Sequence, residues 1–129
     1  MTPYGPCLID GTHTLAARET FRKDPDWIAP LLWRSEFRSV LSRYMRRHGL
    51  PLGEALQLLA EAERLLTGGE YEVSSDSVTG LVARSALSAY DCEFVALARE
   101  MAVPLVTSDR SVVAAFPETA TLLGSFAGK

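Results

Sequence analysis

A chain of 129 residues, 47% hydrophobic and 22% charged, has the size and balance of one folded domain, which excludes a polymer too polar to bury a core. Its net charge of −3 at pH 7 excludes a protein that coats nucleic acid by bulk electrostatics, because that affinity comes from neutralising phosphates with Lys and Arg. No run approaches the ~20 apolar residues of a membrane-spanning helix, Met1 to Pro6 lack a secretory pattern, and Cys7 and Cys92 have no metal or disulfide spacing; the expectation is a reduced, cytoplasmic protein with no membrane partner.

In chain order, Thr14 to Lys23 carries a short helical pattern that stops before Asp24-Pro25-Asp26. Trp27-Ile28-Ala29 reads as a brief buried strand closed by Pro30, which also suits the first turn of the next helix. That helix, Leu31 to about Arg47, repeats Leu32, Trp33, Phe37, Val40, Leu41, Tyr44 and Met45 at helical spacing and ends at His48-Gly49. A second helix follows Leu50-Pro51-Leu52, with Ala55, Leu58, Leu59, Ala62, Leu65 and Leu66 on one stripe, and stops at Gly68-Gly69. The two are expected to form a helical hairpin. Tyr71-Glu72-Val73 is a weak strand, Ser74 to Ser85 a helix, and Ser88 opens another helix that runs through Ala98. Then come the strand Pro104 to Thr107, a short helix from about Arg110 to Phe116, and a weak final segment, Thr121-Leu122-Leu123. Strands alternating with helices predict an α/β three-layer domain, α/β/α, with a mainly parallel central sheet.

Three acids stand out. Asp91, three positions after Ser88, fits a capping box, and a carboxylate in a first helical turn is also held ionised, as a ligand must be. Asp109 leaves the strand through Thr107-Ser108, where an N-cap is the ordinary reading. Glu36 has Trp33, Leu32 and Val40 as helical neighbours, so it sits at the apolar stripe and needs a partner, either a cation or an arginine such as Arg34 or Arg43. Placed together at one edge of a parallel sheet, the three are oxygen-only donors that select Mg²⁺ or Mn²⁺ over zinc. His13 and His48 are isolated, no phosphate-binding glycine motif is present, and Arg43, Arg46, Arg47 and His48 form a cationic helix end, with RNA phosphates or an acidic partner as the minority reading.

From Asp24 to Leu123 the chain resembles the PIN-domain family and, within it, the VapC-like toxin ribonucleases of type II toxin-antitoxin modules. The likeness rests on Pro30-Leu31-Leu32-Trp33-Arg34-Ser35-Glu36-Phe37 with Val40-Leu41, on Ser88-Ala89-Tyr90-Asp91 with Phe94 to Ala98, and on Val103 to Asp109. It implies a PIN-like sandwich over 1–129 and a metal-dependent endoribonuclease that hydrolyses RNA phosphodiester bonds. It also implies a homodimer and an antitoxin partner. Glu36, Asp91 and Asp109 match the family's catalytic and metal-binding acids, and Thr107, with Ser108, matches the polar support of that site. The family's opening strand ends in a further metal-binding Asp. Residues 1–13 are atypical for that strand, because Pro3 and Pro6 cannot donate to a ladder, and Asp10 stands too close to Glu36 for the usual first helix. The alternative expectation is therefore a catalytically degenerate domain that binds an antitoxin or RNA. A third is an unrelated α/β binding domain whose three acids are caps or surface pairs.

Overall fold

The computed structural model describes residues 27–107 and 109–122. The expected helix from Thr14 to Lys23, the atypical segment 1–13 with Asp10, Ser108 and Leu123 lie outside the described residues.

The fold is mixed α/β, and among the described residues five helices hold two short parallel strand pairs. Strand β1 (Ala29–Pro30) pairs in parallel with β2 (Glu70–Tyr71), and β3 (Leu105–Thr107) with β4 (Ala120–Leu122). Parallel pairing agrees with the expectation. The described residues form two separate pairs, however, where one continuous central sheet was anticipated.

Pro30 belongs to β1 and not to the following helix, and the hydrogen bonds explain why it is tolerated. Ala29 N–H donates to the Gly69 carbonyl and Leu31 N–H to that of Tyr71. The partner strand thus takes alternate donors, and proline occupies the position whose N–H is not needed. Gly69 allows the close approach: a Cβ there would lie 2.3 Å from the Trp27 carbonyl oxygen.

Helix α1 (Trp33–His48) starts two residues later than anticipated and ends at Gly49, whose φ of 66° supplies the left-handed cap. It buries Trp33, Phe37, Val40 and Leu41, positions spaced at three and four residues. Helix α2 (Leu52–Leu66) packs back on α1 as the anticipated hairpin. Leu58, Leu59, Ala62 and Leu65 cover a core of Trp27, Ala29, Trp33, Phe37, Leu41, Leu66 and Val106. Among the described residues no helix is long and apolar enough to cross a membrane.

Helix α3 (Ser75–Ala83) is capped by the Ser74 hydroxyl, which accepts from the Ser77 amide. It packs on α4 (Ala89–Glu100), the central helix of the second half, which also meets β1 and β3. Neighbours on several sides bury Cys92 and the whole run Val95 to Ala98, which is why the segment Phe94 to Ala98 is apolar without interruption. Cys92 is a buried thiol whose pKa is raised by burial, so it is shielded from solvent chemistry. Strand β3 alternates between two cores: Val106 joins the cluster around Trp33, while Leu105 joins the cluster of Val95, Val112 and Phe116. Helix α5 (Arg110–Ala115) then returns the chain to β4.

Helix α4 closes with an alanine where glycine is the usual solution. Ala102 has φ 55°, and the bonds Val103 N–H to Ala98 O and Ala102 N–H to Arg99 O build a Schellman-type stop around it. A side chain in this conformation costs about 1 kcal/mol. Ala102→Gly is therefore expected to raise unfolding stability by up to about 1 kcal/mol in urea titration, and a loss of stability would mean that the Ala102 methyl makes packing contacts worth more than the strain.

Candidate functional site

The site forms where α1, α4 and the exit of β3 meet. A cavity of about 40 Å³ is lined by Glu36, Asp91, Phe94, Leu105, Val106, Thr107, Asp109 and Val112. Glu36, Asp91, Asp109 and Thr107, the residues anticipated from sequence, therefore face one space; Ser108 lies outside the described residues.

Each acid is placed by local structure. Ser88 caps α4, its Oγ accepting from the Asp91 amide at 3.1 Å, so Asp91 stands in the first turn with its carboxylate near the positive helix end. Asp109 caps α5, its Oδ1 accepting from the Ser111 amide at 2.9 Å and from the Ser111 hydroxyl at 2.6 Å. The capping and cavity-lining readings of Asp91 and Asp109 hold together, because each cap sits at the cavity rim. Thr107 is buried and its Oγ1 accepts from the Asp109 amide at 3.0 Å, which fixes the turn that presents Asp109.

Glu36 has a different surrounding from the arginine pair considered for it. Arg34 is engaged by Glu63 and by Glu70, and Arg43 donates to Ser39 Oγ and acts on Glu36 only at a distance. Burial raises the Glu36 pKa, the charge of Asp91 adds to the rise, Arg43 opposes it, and Glu93 adds further. Burial also raises the Asp91 pKa, with Asp109 adding to it and a hydrogen bond with the Ser88 hydroxyl pulling the other way. The charge of Asp109 thus acts on Asp91, and that of Asp91 on Glu36. None of them belongs to the ion pairs found among the described residues, which are Arg34–Glu63, Arg34–Glu70 and Arg99–Glu118.

Among the described residues these like charges line a partly desolvated cavity without an ion-paired cation, an arrangement that attracts cations. Oxygen donors of this kind suit Mg²⁺ or Mn²⁺. Among the described residues no three His, Cys, Asp or Glu side chains are gathered closely enough to hold one ion, and mutual repulsion is a sufficient physical reason for acids to stand apart.

Sequence reasoning did not anticipate Phe94 at the cavity or the influence of Glu93 on Glu36. Phe94 carried a usable signal, since three residues after Asp91 on a helix is the same face. Glu93 carried none, because only the packing of α4 near α1 brings it toward Glu36.

No protein-family model matches the chain, and no curated protein matches it. The fold is similar to the crystal structure of PAE2754 from Pyrobaculum aerophilum, with a TM-score of 0.78 and 18% sequence identity over 98% of this chain and 95% of that one. A likeness at that identity concerns the fold alone.

Proposed function

We propose that the protein is a metal-dependent endoribonuclease of the PIN-domain class, resembling VapC toxins, and that its fold is a PIN-like α/β/α sandwich. The observation that carries the reading is the convergence of Glu36, Asp91 and Asp109, from three separate elements, on one cavity with no ion-pairing cation among the described residues. As placed here the three are not gathered closely enough to hold one ion; on this reading they would have to draw together around Mg²⁺ or Mn²⁺. When bound, the ion supplies positive charge that activates water and offsets the charge developing on a phosphodiester.

The remaining chemistry belongs to the chain. Asp91 is anchored by the Ser88 cap and Asp109 by Thr107 and Ser111, so both carboxylates are presented from backbone that local hydrogen bonds hold. Glu36 and Asp91, whose pKa values burial raises above their ordinary values, are stronger proton acceptors than free carboxylates. Phe94, Val106 and Val112 form an apolar wall that limits solvent and strengthens each charge interaction. The same reading brings a cytoplasmic setting, a homodimer and an antitoxin that holds the enzyme inactive.

The test is cleavage of single-stranded RNA by the purified protein. Cleavage is expected with Mg²⁺ or Mn²⁺ and is expected to stop with excess EDTA; EDTA-resistant cleavage would sink the metal-dependent assignment. A second reading, a degenerate domain that binds RNA or an antitoxin without cutting, is favoured by the spacing of acids that are not gathered on one point. Calorimetry separates the two: the nuclease reading requires carboxylate-dependent Mg²⁺ or Mn²⁺ binding, and the degenerate one requires its absence.

A further inference from the structure

Helix α1 carries five arginines, Arg34, Arg38, Arg43, Arg46 and Arg47, of the 13 Lys and Arg in a chain of net charge −3. Arg34 is consumed by its ion pairs with Glu63 and Glu70. The other four are exposed or nearly so, and none joins an ion pair among the described residues. Residues of an α-helix advance by about 100°, so Arg43, Arg46 and Arg47 fall within roughly 80° of Glu36, while Arg38 lies on the far flank. The buried positions Phe37 and Leu41 lie on the other side of Glu36 from Arg46. The cations therefore form a ridge that begins at the acidic cavity.

We infer that Ser39, Arg43, Arg46 and Arg47 form a phosphate-binding track that guides a single RNA strand along α1 to the Glu36–Asp91–Asp109 cavity. The track deepens the nuclease reading and rests on it for its endpoint. Its length from Glu36 to Arg47 is about 16 Å along the helix axis, enough for several phosphates, because even a stacked strand places one every ~3.4 Å. The helix dipole accounts for Arg46, Arg47 and His48, which sit in the last turn. It does not account for Arg43, which stands one turn earlier, donates to Ser39 Oγ at 3.4 Å and is the cation whose charge reaches Glu36. The division of labour is physically coherent: an acidic pocket repels phosphate, so a strand needs cations beside the pocket to approach it.

The test measures binding of a labelled single-stranded RNA of mixed sequence by fluorescence anisotropy, with every protein carrying Asp91→Asn so that cleavage does not intervene. Changing Arg43, Arg46 and Arg47 together to Gln is expected to weaken binding about tenfold or more and to flatten the slope of log affinity against log salt by about 2, near 0.7 for each lost phosphate contact. Arg38→Gln, on the far flank, is expected to leave both nearly unchanged, and circular dichroism checks that the triple variant remains helical. The track is overturned if the triple variant keeps its affinity and slope, or if Arg38→Gln weakens binding as much as each track arginine. It is equally overturned if the triple change spares RNA but abolishes binding of an acidic polypeptide such as polyglutamate. Binding is read without cleavage, so the track can stand where the nuclease reading fails, and fail where it stands.

Discussion

On the proposed nuclease reading, Asp91→Asn is expected to lower Mg²⁺-dependent RNA cleavage by about 100-fold or more, since even the outer partners of metal ligands are worth 10–100-fold. The protein should remain folded. The Ser88 hydroxyl accepts from the backbone amide of residue 91, which asparagine keeps, so the helix start survives. The lost carboxylate at the helix N-terminus costs about 0.3–1 kcal/mol. Against this, the Asp91 pKa is raised by burial and by Asp109, so its ionised form is less favoured in the folded than in the unfolded chain. The sign follows: ionised Asp91 lowers stability above the unfolded pKa of about 3.9, and the loss is recovered as pH falls through the raised folded value. Asparagine removes that pH-dependent loss. At neutral pH the variant should therefore lie within about 1 kcal/mol of the parent, and the parent should gain on it as the medium is acidified toward the ordinary carboxylate range. Denaturant melts at several pH values, without metal, check this. Unchanged cleavage by Asp91→Asn would remove Asp91 from the chemistry, whereas a collapsed melt would make its role structural.

Much of this site is readable because its acids coincide with element boundaries, which are chemically marked. Ser88 with Asp91 three residues on is a helix start, and Thr107-Ser108-Asp109 is a strand exit, whatever the tertiary structure. Glu36 is readable for the opposite reason, as a charge among apolar helical neighbours. The two helices of the hairpin are legible from a stripe at spacing three and four and from Gly49. The strand Pro104 to Thr107 and the final segment at Thr121-Leu122 fall on β3 and β4. The anticipated Trp27-Ile28-Ala29 and Tyr71-Glu72-Val73 overlap β1 and β2 by one residue each, because those strands are two residues long, shorter than any window in which alternation has meaning. Glu70 was missed for a related reason. Its contacts with Trp33 and Arg34 span 37 and 36 residues, and no local pattern encodes a pairing made by strand register.

That pairing bears on the second large effect, the loss of stability when Trp33 becomes alanine. Trp33 is 2% exposed and belongs to the core with Trp27, Ala29, Phe37, Leu41, Leu66 and Val106. Its ring lies 6.1 Å from that of Phe37, the Arg34 guanidinium stands 5.2 Å from its centroid, and its indole N–H donates to Glu70 of β2. Truncation to alanine is expected to cost about 3–5 kcal/mol, a large share of the 5–15 kcal/mol that holds a typical domain, with a melting point lower by roughly 10–20 °C. Trp33→Phe keeps most of the buried ring and gives up the N–H bond; Arg34 still engages Glu70, so its loss should be a fraction of the alanine effect. Because Glu36 is three residues along the same helix, a loosened α1 should also weaken Mg²⁺ binding in the alanine variant more than in the phenylalanine one. A cost below about 1 kcal/mol for Trp33→Ala would mean that the hairpin and not this indole fixes α1 against β2. Equal metal binding in the two variants would separate the position of Glu36 from the packing beneath it.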